Sequence, residues 1–148
     1  MKVELDQSGK VEQLNTLTVI AIANGCSKAI YVTAGDKRKL ISLLRKSLIP
    51  QRDIIPILFA VLVFILIKNL QDGSLVAIDE EYTGKDQLIR ETINKLFEAN
   101  TRRKKIRLSF AQVGKQSSAH KVAWAAHKSK GKGAIKVGFD EITKYLFQ

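Results

Sequence analysis

Apolar residues recur along this chain with two periods, and each change of period marks a new element. Val3 to Leu5 opens a strand that runs out at Asp6-Gln7-Ser8-Gly9, a turn-forming cluster. Leu17 to Ala23 (LTVIAIA) is a second strand closed by Asn24-Gly25, and Ala29 to Thr33 (AIYVT) is a third. Short connections between consecutive strands predict an antiparallel meander. From Asp36 the spacing becomes helical. Leu40, Ile41, Leu43 and Leu44 form the apolar stripe, Lys37, Arg38, Lys39, Arg45 and Lys46 are placed toward water, and Pro50 ends the segment.

Ile54 to Ile67 (IIPILFAVLVFILI) is apolar on every side. Asp53 is its expected N-cap, and Pro56 suits the first turn, where a missing N–H costs little. Fourteen helical residues span about 21 Å, against roughly 30 Å of bilayer hydrocarbon. Charges at Arg52, Asp53 and Lys68 block any extension, so the segment predicts a buried helix and no membrane span. It must be covered all round, by its own core or by a second copy through the Ile54–Leu70 stretch.

Asp72-Gly73 then makes a turn. Ser74 to Asp79 (SLVAID) is an unbroken apolar strand, which predicts burial on both faces. Leu88, Ile89, Ile93, Leu96 and Phe97 stripe the next helix, and Ile106 to Ala111 (IRLSFA) alternates as a half-buried strand. Ser117 to about Lys128 is a helix capped by Ser117 or Ser118. Lys128 to Lys136 (KSKGKGAIK) reads as a basic loop, and Asp140 as the cap of a last helix through Tyr145. A meander followed by alternating units predicts an α/β fold with helices on a mixed sheet. With no internal repeat or composition break, residues 1–148 are expected to form one domain.

Composition adds an asymmetry. The 148 residues carry a net charge of +11, but the first 100 hold 13 basic and 12 acidic residues. Residues 101–148 hold 12 basic residues against only Asp140 and Glu141, a net of +10. Such a flank suits a polyanion, because Lys and Arg displace counterions condensed on phosphate; a solvated face that aids solubility is the plainer account. Cys26 is the sole cysteine, so neither an intramolecular disulfide nor a cysteine zinc cluster can form. The opening MKVELDQSGK lacks the apolar core of a secretory signal, and a cytoplasmic protein is expected.

Two constellations offer chemistry. Asp6 ends the first strand, and Asp79, Glu80 and Glu81 end the fourth. Alternation puts Asp79 and Glu81 on one face and Glu80 on the other, if the strand runs that far. Carboxylates from neighbouring strands can converge on hard divalent metals, although acids at strand ends commonly stand in solvent or cap helices. The second constellation is the helix SAHKVAWAAHK. Ala119, Val122, Ala123 and Ala126 make a stripe for close packing, and His120, Trp124 and His127 share another face. The histidines lie about 10.5 Å apart along the axis, too far to share a metal. Gly114-Lys115 and Gly84-Lys85 lack the remainder of a phosphate loop, which argues against a nucleotide triphosphatase. Gly114 and Lys115, just ahead of a helix N-terminus, can still hold a nucleic-acid phosphate.

With these residues in place, the chain resembles the ribonuclease H-like superfamily, which includes RuvC-type resolvases and many transposases. Three antiparallel strands, helix, strand, helix, strand, helix is that fold's order. Asp6 with Ser8-Gly9 resembles its first-strand aspartate, and Asp79, Glu80 and Glu81 stand where its second acid falls. The family draws a further ligand, usually acidic, from its last helix; Ser117 to Lys128 has no acid, so His120 would substitute. The apolar helix at Ile54 is a further departure. The resemblance implies a nuclease that cleaves phosphodiester bonds with Mg²⁺ or Mn²⁺ held by Asp6, Asp79 and Glu81, or less readily Glu80. His120 would ligate metal or help activate water. Lys115, Lys121, Lys128, Lys130 and Lys132 would hold DNA or RNA. A non-catalytic nucleic-acid-binding module of the same fold and a homo-oligomeric scaffold are the competing expectations.

Overall fold

A computed structural model describes residues 1–102 and 104–148. The β-branched stretches near the N-terminus form β1 (Lys2–Ser8), β2 (Thr18–Ala23) and β3 (Lys28–Val32), paired antiparallel with Asp6 opposite Ala21 and Ile20 opposite Ile30. α1 (Ala34–Arg45) follows, its first turn closed by the Thr33 hydroxyl, which accepts from the Asp36 N–H at 3.2 Å. A 3₁₀ turn at Gln51–Asp53 leads into α2 (Ile54–Ile67). Then come β4 (Leu75–Asp79), α3 (Asp86–Asn100), β5 (Arg107–Ala111), α4 (Ser118–Lys128), β6 (Ile135–Lys136) and α5 (Phe139–Leu146).

These strands make one mixed six-stranded sheet in the order β5-β4-β1-β2-β3-β6. Only β2 runs against its neighbours; β4 and β5 add parallel beside β1, and β6 adds parallel beside β3. One face carries α1, α2, α3 and α5 over Val3, Leu5, Ile20, Ile22, Val76 and Ile78. The other is covered over its centre by α4, whose Ala119, Ala123 and Ala126 pack close to β1 and β2, against Val19 and Ala21. Small side chains on both surfaces let the helix axis approach the strands, as the alanine stripe requires.

α2 is the core of the first face. Phe64 is fully buried, edge-on to Phe97 at 4.9 Å and to Tyr145 at 5.2 Å. Burying a side chain of this kind stabilises by about 1.5–3 kcal/mol. The sheet with α1, α3 and α5 covers most of the helix, while Ile55 and Ile57 stay partly exposed. Among the described residues no helix is long and apolar enough to cross a membrane.

The fold corrects five local readings. Asp53 does not cap α2, because the 3₁₀ turn puts it in helical geometry; its carboxylate instead pairs with the Lys85 ammonium at 2.9 Å. Asp140 lies inside the first turn of α5, whose N-cap is Gly138. β4 alternates: Val76 and Ile78 are buried, but Leu75, Ala77 and Asp79 are only half-covered, because α4 sits over β1 and β2. The basic segment Lys128–Lys136 is not all loop, since Ile135 and Lys136 extend the sheet beside Ile30 and Tyr31. Finally, Lys37 is wholly buried: its charge suggests water, but it shares a helix face with Leu40, Ile41 and Leu44. Its ammonium reaches the loop between β1 and β2, donating to the carbonyls of Lys10 and Gln13 and, at 2.9 Å, to Thr18 Oγ1.

Candidate functional site

Parallel pairing of β1 with β4 decides the site. Leu5 stands opposite Ile78, so one residue further the two strands bring Asp6 and Asp79 side by side at their carboxyl ends. β4 stops at Asp79, and the chain turns so that Glu81 comes back onto the same side. One carboxylate oxygen from each of Asp6, Asp79 and Glu81 lies within 4.8 Å of the others, close enough for all three to hold one metal ion. Glu80 is exposed and outside this group.

Each acid is fixed by a separate partner. Asp6 is 4% exposed; its Oδ1 accepts from the Gln7 N–H at 2.8 Å and its Oδ2 faces His120 Nδ1 at 2.9 Å. Asp79 Oδ1 accepts from the Val113 N–H at 2.8 Å. Glu81 Oε2 lies 3.3 Å from the Lys10 ammonium. Burial raises the Asp6 carboxyl above its ordinary range; the Gln7 N–H and His120 oppose this, and the charge of Asp79 adds to it. Burial also raises Glu81, as does a hydrogen bond with Asp79, while Lys10 pulls it back. Three carboxylates this close repel one another, and a cation among them relieves that repulsion.

α4 delivers His120 because the Ser117 hydroxyl caps the helix, accepting from the His120 N–H at 3.0 Å. A neutral imidazole that donates from Nδ1 to Asp6 keeps a lone pair on Nε2. His127, two turns along, faces Thr16 Oγ1 at 3.0 Å and props the β1–β2 loop. Gly9 begins that loop at φ +70°, and a Cβ there would run into the Leu17 carbonyl and His127. This turn swings Lys10 over the acids.

The acids open into a cavity of about 350 Å³ that Lys10, Lys115, Gly114 and His120 also line. Gln7, 6% exposed, is part of the same wall. Its Nε2 donates to the Tyr82 hydroxyl at 3.1 Å, which donates on to Glu12 at 3.1 Å, while its buried Oε1 has no partner among the described residues. Three carboxylates make an all-oxygen donor set, the kind that suits a hard cation such as Mg²⁺ or Mn²⁺.

Of the residues singled out from the sequence, Asp6, Asp79, Glu81, His120 and Lys115 come together here. Lys121, Lys128, Lys130 and Lys132 are exposed and lie outside the cavity. Lys10 and Gln7 were not singled out. The Ser8-Gly9-Lys10 turn directly after Asp6 is the signal for Lys10; Gln7 has no signal beyond its adjacency. Comparison with protein-family models, curated proteins and solved structures finds no match for this chain.

Proposed function

We propose that this protein is a metal-dependent nuclease of the ribonuclease H-like type, hydrolysing phosphodiester bonds of nucleic acid. The observation that carries the reading is the convergence of Asp6, Asp79 and Glu81 in a cavity that also holds His120, Lys10 and Lys115. The sheet order β3-β2-β1-β4-β5, with β2 antiparallel, supports the family resemblance. So does the place of the acids at the ends of β1 and β4. The basic flank supplies the electrostatic footprint for DNA or RNA.

Asp6, Asp79 and Glu81 would hold Mg²⁺ or Mn²⁺, which when bound lowers the pKa of water and stabilises charge on the phosphate oxygens. Lys115 and Lys10 hold the phosphate by charge. Asp6 orients His120 through Nδ1, and Nε2 takes the proton from the attacking water. Water oxygen bonds to phosphorus, the bond to the leaving sugar oxygen breaks, that oxygen takes a proton from solvent, and His120 releases the proton it took to solvent. His120 thus fills the place of the acid that α4 lacks.

One contact favours the competing reading of a non-catalytic nucleic-acid-binding module. The Lys10 ammonium already sits 3.3 Å from Glu81 and supplies part of the countercharge a metal would bring. The test is incubation of labelled single-stranded and duplex DNA, RNA and branched junctions with Mg²⁺ or Mn²⁺, beside Asp6→Asn and Asp79→Asn. Cleavage by the native chain alone is the expected result. Cleavage that survives in both variants refutes this site, and binding without cleavage under every condition establishes the module.

A further inference from the structure

α4 buries only its alanine face, and its outward face carries Lys121, Trp124 and Lys128 at a helical spacing. Trp124 is the chain's sole tryptophan and is 52% exposed. A side chain this large and apolar is normally covered. The Lys128 ammonium lies 4.8 Å from the ring centroid. Residues 112–139 contain six lysines and no acid. An apolar partner surface has no use for that charge, whereas a nucleic-acid strand matches both features, with bases for the indole and phosphates for the lysines.

Position along the helix adds a second constraint. Trp124 lies four residues beyond His120, about 6 Å along the axis. That is one to two nucleotides at a stacked rise of about 3.4 Å. A strand whose phosphate occupies the acidic cavity and runs along α4 therefore brings a neighbouring base to the indole. In a duplex that base is paired and its faces are covered by its neighbours; only an unpaired base can lie flat on an aromatic ring.

We infer that Trp124 is a stacking platform for an unpaired base next to the bound phosphate, so that the substrate is single-stranded or locally unpaired. Lys128 holds the indole in the free protein by a cation–π contact and turns to the strand's phosphate when a base arrives. The placement of the phosphate rests on the proposed nuclease site, but the stacking itself does not need cleavage.

Because Trp124 is the sole tryptophan, intrinsic fluorescence reports on this one residue. The native chain is titrated in EDTA with a single-stranded thymidine 12-mer, a uridine 12-mer and a 12-base-pair blunt duplex, and binding is followed in parallel by anisotropy of labelled strands. Saturable quenching by one or both single strands, with little by the duplex, is expected. Trp124→Ala should weaken single-strand binding roughly tenfold and leave duplex binding nearly unchanged, while Trp124→Phe should restore most of the loss. Circular dichroism shows whether each variant is folded. Bound single strands that leave the fluorescence untouched overturn the inference, as do single strands that do not bind, quenching by the duplex to the same extent, or a Trp124→Phe chain no better than Trp124→Ala. Quenching without cleavage in Mg²⁺ or Mn²⁺ defeats only the nuclease reading. Cleavage without quenching defeats only the platform.

Discussion

Replacing Lys37 with methionine tests the anchor of the loop that walls the cavity. Lys37 is 0% exposed, and among the described residues no carboxylate forms an ion pair with it. Burial lowers its pKa from 10.5 to about 8, with Glu12 pulling it up and Arg38 pushing it down. The unfolded chain therefore holds this proton more tightly than the folded one, and stability rises as pH climbs through the window from about 8 to 10.5. At 1.36 kcal/mol per pKa unit the whole effect is about 3 kcal/mol, of which about 2 kcal/mol falls between pH 7 and pH 9.5. Methionine keeps a flexible, unbranched chain of similar length but neither titrates nor donates. At pH 7 the cost of the buried ammonium and the hydrogen bonds it makes oppose each other, so the two proteins should differ by at most about 2 kcal/mol in either direction. The slope is the diagnostic quantity. In urea unfolding at a series of pH values, the stability of the native chain relative to Lys37→Met should climb by about 2 kcal/mol from pH 7 to pH 9.5, all other groups cancelling. Parallel curves for the two proteins would refute the reasoning, because they would show that Lys37 has the same pKa folded and unfolded.

Asp79→Asn removes one of three crowded charges; the metal-free variant should gain about 1 kcal/mol by thermal unfolding while Mn²⁺ no longer raises its Tm. Lowering the pH from 7 toward 5 should weaken Mn²⁺ binding by calorimetry earlier than ordinary carboxylates would, because Asp6 and Glu81 are raised. The same raised groups stabilise the metal-free fold as they take up protons, a contribution that fades as pH rises through their folded-state values. Lys115→Ala and Lys121→Ala should each reduce the slope of log affinity against log salt by about 1, read from anisotropy at 50 to 200 mM salt. Phe64→Ala should cost about 3–5 kcal/mol in urea unfolding, because the void between Phe97 and Tyr145 lies inside an enclosed core.

The elements themselves were legible in the chain. Short apolar, β-branched runs closed by turn residues mark β1, β2 and β3, and a charge-free run bounded by Arg52, Asp53 and Lys68 marks α2. The candidate acids were legible as residue types at strand ends, and His120 as one face of a helix. Lys10 was not, because its role depends on how the turn at Gly9 directs the loop. β6 was not either: two residues carry no period, and their strand geometry exists only because β3 offers an edge.

Local pattern determined where the chain is helical or extended and which stripe of each helix is apolar, since backbone geometry and side-chain spacing act over a few residues. Tertiary structure decided everything that needed distant segments to meet. Asp6 and Asp79 are 73 positions apart in sequence and become neighbours only through the β1–β4 pairing. Glu81 rather than Glu80 joins them because β4 ends where it does. Lys37, polar by type, stands on the inward face with Leu40, Ile41 and Leu44, and its ammonium is satisfied only because a loop from another part of the chain brings carbonyls to it. Periodicity predicts which face a helix turns to its own core. It carries no information about which other segment will meet that face, because that depends on strand order and loop path across the whole chain.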